Sequence, residues 1–410
     1  MKQRFFLAGL LASCMLSAKA QKKDTFTRRE KLNKTEIEFV YGHYMQDGNN
    51  SAVTGGVGTE KLTVFSPVLK VKKTWENGRS LTFKGGSDII SSASTDKIDF
   101  VKSSASILDA RTHMGIGISA PVRKKKNMVW SAGTGFSIES DYFSRPVNVG
   151  LLMWDKQKIR TLAIDVQMFF DDLRWGRLNG GYYRPVKLIY PQELRFREWY
   201  ETTRRNSYNL KVGFTRVINK RNIFGIFPEI SYQEGLLSTP FHRVYFKGDS
   251  LLKVENLPGR RLKGILGLKW NTFAGGRVIL KNSIDMYADN FGVMNFALEN
   301  ETAVKWKRFL TIIPFARISF QEASGYFAPY KAHEADERYY TSDYDLSGFY
   351  TVKAGLAARY APFRTMGKYN IFNEFTLRYA YYNRSNGLHA HIVSCVFNMT
   401  HAKPRQVKIK

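Results

Sequence analysis

Segments that switch between apolar and polar at every residue recur along most of the chain, each about ten residues long. From Thr161 to Phe170, Leu162, Ile164, Val166, Met168 and Phe170 share one parity, while Ala163, Asp165 and Gln167 take the other. A strand points successive side chains to opposite faces, so each segment predicts a strand with one apolar and one polar side. The same alternation sets Leu262, Leu266, Leu268 and Trp270 against Lys263 and Lys269. It sets Val278, Leu280, Ile284 and Met286 against Lys281, Ser283 and Asp285, and Phe375, Leu377, Tyr379 and Tyr381 against Glu374, Thr376 and Arg378. A transmembrane barrel needs this arrangement, with one face toward lipid and one toward a polar interior. A soluble sandwich alternates as well. Aromatic residues at strand ends, such as Trp130, Trp154, Trp270 and Trp306, tip the reading toward a membrane barrel with interfacial girdles.

The predicted strands are 35–45, 60–71, 79–90, 107–120, 128–141, 146–154, 159–170, 206–218, 222–235, 261–272, 276–288, 291–304, 309–321, 346–360, 371–382 and 387–398. The fold class is therefore all-β, a single antiparallel barrel of about sixteen strands, with fourteen or eighteen as neighbouring possibilities. The connections support the count. With the N-terminal end in the periplasm, the periplasmic turns are 72–79, 123–127, 155–158, 219–222, 273–276, 305–308 and 361–370, all short. The long connections 46–58, 91–106, 171–205, 236–260 and 323–345 all fall on the other side. Short periplasmic turns and long outer loops are the rule for such barrels.

The first twenty residues read as a secretory signal: a basic Met1–Arg4, an apolar Phe5–Leu16 and a small-x-small site at Ala18–Ala20. The expected organisation is signal 1–20, periplasmic segment 21–34, barrel 35–398 and basic periplasmic tail 399–410. A lipid-anchored Cys14 is the alternative processing. Without Cys14 the chain keeps Cys395 alone, and an internal disulfide is excluded.

Net charge sharpens the picture. It is +28. Removing the signal leaves +25, and +24 of this falls on the two tails and the periplasmic turns, counted with Arg160 and Arg277 at their edges. The expected basic rim comprises Lys72, Lys73, Arg123, Lys124, Lys125, Lys126, Lys220, Arg221, Lys305, Lys307 and Arg308. Nucleic acid is excluded as a partner by the compartment. An anionic periplasmic partner and outer-membrane lipid are the expected ones, with a small solute possible. The strand interiors are close to neutral. Expected lumen-lining residues are Glu38, Asp165, Lys211, Lys263, Lys281, Asp285, Glu299, Arg317, Lys353, Glu374 and Arg378, alongside Glu36, Lys84, Glu229, Lys269, Glu301 and Arg359.

Candidate chemistry is sparse. No cofactor, metal-ligand spacing or phosphate loop is expected. The 326–345 segment gathers His333, Glu334, Asp336, Glu337, Asp343 and Asp345, an oxygen-rich set that calcium could use, although salt bridging accounts for it more simply. His389 and His391 share a face of the last strand with Ser394 on the opposite parity, which argues against a catalytic pair and for polar lumen lining. The 171–205 connection mixes arginine and aromatic residues, among them Trp175, Arg195, Arg197, Trp199 and Tyr200. Such a surface suits ligand binding, and its length also suits a plug.

Several segments carry a family resemblance. They are Gly85-Gly86-Ser87-Asp88-Ile89-Ile90-Ser91-Ser92-Ala93-Ser94, Asp109-Ala110-Arg111-Thr112, Pro240-Phe241-His242-Arg243-Val244-Tyr245-Phe246, Glu255-Asn256-Leu257-Pro258-Gly259-Arg260-Arg261 and Tyr339-Tyr340-Thr341-Ser342-Asp343-Tyr344. In this order they resemble the family called domain of unknown function 3570. That resemblance implies an outer-membrane barrel and transfers no catalytic residue. The functional expectation is a non-enzymatic, porin-like conduit for small solutes. The alternatives are a non-conducting docking barrel that uses the basic rim and, less favoured, a lipid-active enzyme.

Overall fold

The computed structural model describes residues 33–92, 108–123, 125–139, 142–173, 204–239, 242–248, 252–367 and 369–402. Its long strands are β1 (Lys34–Asp47), β2 (Leu62–Thr74), β3 (Ser80–Ser92), β4 (Leu108–Val122), β5 (Lys125–Glu139), β6 (Tyr142–Trp154), β7 (Arg160–Asp172), β8 (Arg204–Val217) and β9 (Asn222–Gly235). After a small hairpin, β10 (Arg243–Tyr245) and β11 (Leu252–Val254), come β12 (Arg260–Phe273), β13 (Val278–Asp289), β14 (Met294–Lys305), β15 (Leu310–Gln321) and β16 (Phe349–Tyr360). A short β17 (Arg364–Met366) precedes β18 (Asn370–Arg384) and β19 (His389–Ala402).

The sixteen long strands pair antiparallel with their neighbours in chain order, and β1 pairs with β19 from Lys34↔Ala402 to Asp47↔His389. The sheet thus closes on itself with no free edge, the only way a sheet can sit in hydrocarbon with its backbone satisfied. All sixteen predicted strands are present. Several boundaries shift by a few residues: the sequence places turns at 72–79 and 123–127, but β2 runs on to Thr74 and β5 already begins at Lys125. The 361–370 turn also holds more structure than expected, because β17 folds back on β18 through Arg364↔Phe372 and Met366↔Asn370.

The two ends of the barrel differ. At one end, where β1 starts and β19 stops, the connections are short, for example 218–221, 274–277 and 306–309. Asn219 holds the 218–221 turn by accepting from the Arg221 and Asn222 amides at 2.9 and 3.0 Å. Gly275 turns the 274–277 reversal at φ +75°, a left-handed conformation that costs glycine little. The opposite end carries the long connections 48–61, 236–259 and 322–348.

The outer belt is apolar. Phe65, Leu69, Phe83, Ile116, Val149, Leu210, Ile230, Leu262, Ile318, Phe320, Leu356 and Leu377 are all exposed. In water such a continuous belt would drive aggregation, whereas in a bilayer it is the lipid contact. The inward face is small and polar over β4–β6, where Gly115 pairs with Gly135 and Gly117 with Gly133. The wall is tight there: a Cβ on Gly135 would fall 2.2 Å from the Met114 carbonyl oxygen. Glycine pairs allow this close approach and the curvature that closure demands.

Candidate functional site: a charged lumen beneath a bar of loops

Directly paired residues in an antiparallel sheet point to the same side, so the register fixes which side chains line the lumen. Asp165 pairs with Lys211 and Lys211 with Glu229. Lys281 pairs with Glu301, Glu299 with Arg317, and Arg317 with Lys353. Each of these lies on the face opposite the apolar belt. Glu38 lies on that face beside Lys70, at 3.7 Å. Lys263 stands opposite Asp289. Glu374 accepts from Arg359 at 2.7 Å and from Asn398 at 3.0 Å.

The densest part of this lining spans β13 to β18. Arg317 reaches Asp285 at 2.8 Å and Glu299 at 3.2 Å. Glu299 also faces Lys353 at 3.9 Å and Arg378 at 4.0 Å. Arg378 donates to Glu301 at 2.6 Å, and Lys281 approaches the same carboxylate at 3.6 Å. The guanidinium of Arg378 lies 3.5 Å from the centroid of the Phe315 ring, a cation–π contact that fixes its plane. Four cations and three carboxylates thus form one continuous ladder on one wall, facing the glycine- and serine-lined β4–β6 wall. The space between the two walls therefore carries a transverse field and not a uniform charge.

The loop end is bridged. The 48–61 and 236–259 connections join β1 to β2 and β9 to β12, which lie eight strands apart in either direction around the barrel. They nevertheless touch: a Cβ on Gly55 would lie 2.5 Å from the Tyr245 ring. A Cβ on Gly56 would lie 2.9 Å from the ring of Tyr344 in the 322–348 connection. The 236–259 and 322–348 connections are bonded to each other, Tyr340 N–H to the Asn256 carbonyl at 2.8 Å and Lys247 N–H to the His333 carbonyl at 2.9 Å. Buried Glu255 accepts from the Thr239 amide at 2.6 Å and from Thr341 Oγ1 at 2.5 Å. Val244 and Phe246 are fully buried in this bar, with Phe246 edge-on to Tyr340 at 5.0 Å. Arg384 of β18 anchors it to the wall through Asp345 Oδ1 at 2.7 Å and the Tyr344 carbonyl at 2.6 Å. The bar therefore has its own small core and crosses the mouth.

Four of the five acids of the 326–345 segment are engaged within this structure, Asp345 by Arg384 as above. Glu337 meets His333 Nδ1 at 2.6 Å, Glu334 binds Lys247, and Asp343 accepts the Asp345 amide at 2.9 Å. No group of three side chains suited to a metal occurs among the described residues. Trp175, Arg195, Arg197, Trp199 and Tyr200 lie outside the described residues, as do Lys124 and the side chain of Lys126. Of the other rim residues, Lys220 and Arg221 lie in a turn, as do Arg123, Lys307 and Arg308, while Lys72, Lys73, Lys125 and Lys305 lie at adjoining strand ends.

The histidines of β19 are a correction. His391 pairs with Tyr381 and with Met45, both on the outer face, and its Nδ1 lies 2.8 Å from Tyr379 Oη. His389 and His391 belong to the outer aromatic belt and do not line the lumen, whereas Ser394 faces inward opposite Arg378. The physical reason is that both faces of β19 mix polar and apolar residues, so its own pattern does not say which is inside.

A closed barrel with an apolar outer belt and a charged interior belongs to the class of transmembrane β-barrels of the outer-membrane type. The family model described as protein of unknown function DUF3570 matches residues 102–392, and the chain belongs to that family. No curated protein matches it. Among solved structures it is similar to a bacterial polysaccharide outer membrane secretin, at 9% identity and TM-score 0.45, covering 91% of this chain and 99% of that one. It is also similar to a BenF-like porin from Pseudomonas fluorescens Pf-5, at 8% identity and TM-score 0.43, with 89% and 98% covered. A third is OpdK of Pseudomonas aeruginosa with vanillate, at 8% identity and TM-score 0.42, with 90% and 98% covered.

Proposed function

We infer that this barrel is an outer-membrane, porin-like conduit for small solutes whose outer mouth is narrowed by a fixed bar of loops. The observation that carries the reading is the charged ladder from Asp285 to Arg378. Ionised groups at this density are costly inside a dry barrel and natural along a water-filled one, and sixteen strands leave room for an aqueous channel. Planar-bilayer conductance tests it. The folded protein should give small, discrete steps, and Tyr245→Ala, which loosens the bar, should enlarge them. Absence of steps in both proteins, with folding verified, sinks the conduit.

The bar itself favours a second reading, a non-conducting barrel that serves as a scaffold. Under that reading neither the wild type nor the opened variant conducts.

A further inference from the structure

The turn end carries charge that the ladder does not use. Lys156, Lys158, Lys220, Arg221, Lys307 and Arg308 sit within turns of four or five residues, so the strand ends hold them close to the barrel rim. They alternate with large apolar side chains. Ile159 lies among Lys156, Lys158 and Arg160; Ile218 precedes Lys220 and Arg221; Trp306 is flanked by Lys305 and Lys307. Trp75 lies between Lys73 and Arg79, and Phe363 and Met366 flank Arg364. All these apolar residues are exposed, Trp306 at 63%. Five of the seven turns repeat the motif, so it runs around much of the rim.

We propose that this rim docks on the anionic phospholipid headgroups of the periplasmic leaflet. A protein partner of ordinary size would engage one side of a ring, and it would meet charge without needing the apolar tips. A lipid leaflet surrounds the whole barrel and accepts both parts, the apolar tip into the acyl boundary and the cation onto phosphate. Each lysine or arginine near an anionic surface adds about fivefold to partitioning, equivalent to about 1 kcal/mol. The inference rests on the transmembrane placement of the barrel and not on conduction.

The test uses the full chain in nanodiscs of mixed phosphatidylethanolamine and phosphatidylglycerol, with retained lipid read by native mass spectrometry. The wild type should retain phosphatidylglycerol preferentially. Combined Lys220→Gln, Arg221→Gln, Lys307→Gln and Arg308→Gln should lower that preference at least tenfold, whereas Lys331→Gln in the loop bar should leave it unchanged. High salt on the wild type should also lower it, which keeps the test informative if the fourfold variant does not fold. Equal retention of the two lipids by the wild type overturns the proposal, as does a preference that survives both neutralisation and salt. So does binding of polyglutamate at the rim in the absence of a lipid preference, which would assign the surface to an acidic protein.

Discussion

Arg378 on β18 donates to Glu301 on β14 at 2.6 Å although two full strands, β15 and β16, lie between them. Three strand steps span about 14 Å along the wall, and side chains close such a gap only by leaning together across a concave surface. The bond therefore identifies the interior independently of any apolar pattern. It also joins the two halves of the ladder, since Glu301 takes Lys281 from one side and Arg378 from the other.

Arg378→Gln should uncover Glu301 and Glu299 and shift ion preference toward cations, and Glu301→Gln should shift it toward anions. Reversal potentials under a salt gradient measure both. Loss of either partner should destabilise the barrel by about 1–2 kcal/mol, below the value for a dry buried pair because both side chains are partly exposed. Heat-modifiability on gels reads this, and opposite variants that move selectivity in the same direction would contradict the ladder.

The bar across the mouth should depend on Glu255. Its carboxylate joins Thr239 and Thr341 of different connections, and Glu255→Gln keeps the shape while weakening charge-assisted bonds. Limited proteolysis should cut within 236–259 and 322–348 at least several times faster, with the barrel core left intact.

Acid and alkali should loosen the same bar at opposite limits. Burial raises the Glu337 carboxyl, but the Glu334 amide and His333 pull it down further, so its net value lies below the usual range. Its stabilisation is full above the ordinary carboxylate range and lost as pH falls through the depressed value. Lys247 is raised by its hydrogen bond to Glu334. That contribution is full below the ordinary lysine range and lost as pH rises through the raised value. Protection of the bar against hydrogen exchange should therefore be greatest between about pH 4.3 and 10.4 and should weaken at both ends.

Gly135→Val should cost about 1–3 kcal/mol, because the added side chain drives into the Met114 carbonyl across a tight strand pair. Slower folding into vesicles, or a lower unfolding midpoint, is the expected readout. A neutral result would mean that the β4–β5 wall can spread.

Much of the barrel was legible in the sequence, for a physical reason. A lipid face and a lumen face impose period 2 on every strand, and Leu162 to Phe170 or Val278 to Met286 show it without help from distant residues. The face of His391 was not legible, because β19 has mixed polarity on both sides and only its pairing with Tyr381 and Met45 decides. Nor was the bar. Contacts such as Tyr340 with Asn256 or Gly55 with Tyr245 join segments far apart in the chain, and no local period records them. Trp175 and its arginine neighbours lie outside the described residues.

The seam between β1 and β19 ties closure of the barrel to two segments at opposite ends of the described chain. The first long strand finds its second partner only when the last one is in place, so neither can be complete while the chain between them is unfinished. Every other long strand is flanked on both sides by its neighbours in chain order. A chain that lost His389–Ala402 would present two open edges, at β1 and β18, to lipid that cannot hydrogen-bond them. Closure of the wall, and with it the satisfaction of every backbone group facing lipid, therefore depends on the β19 strand.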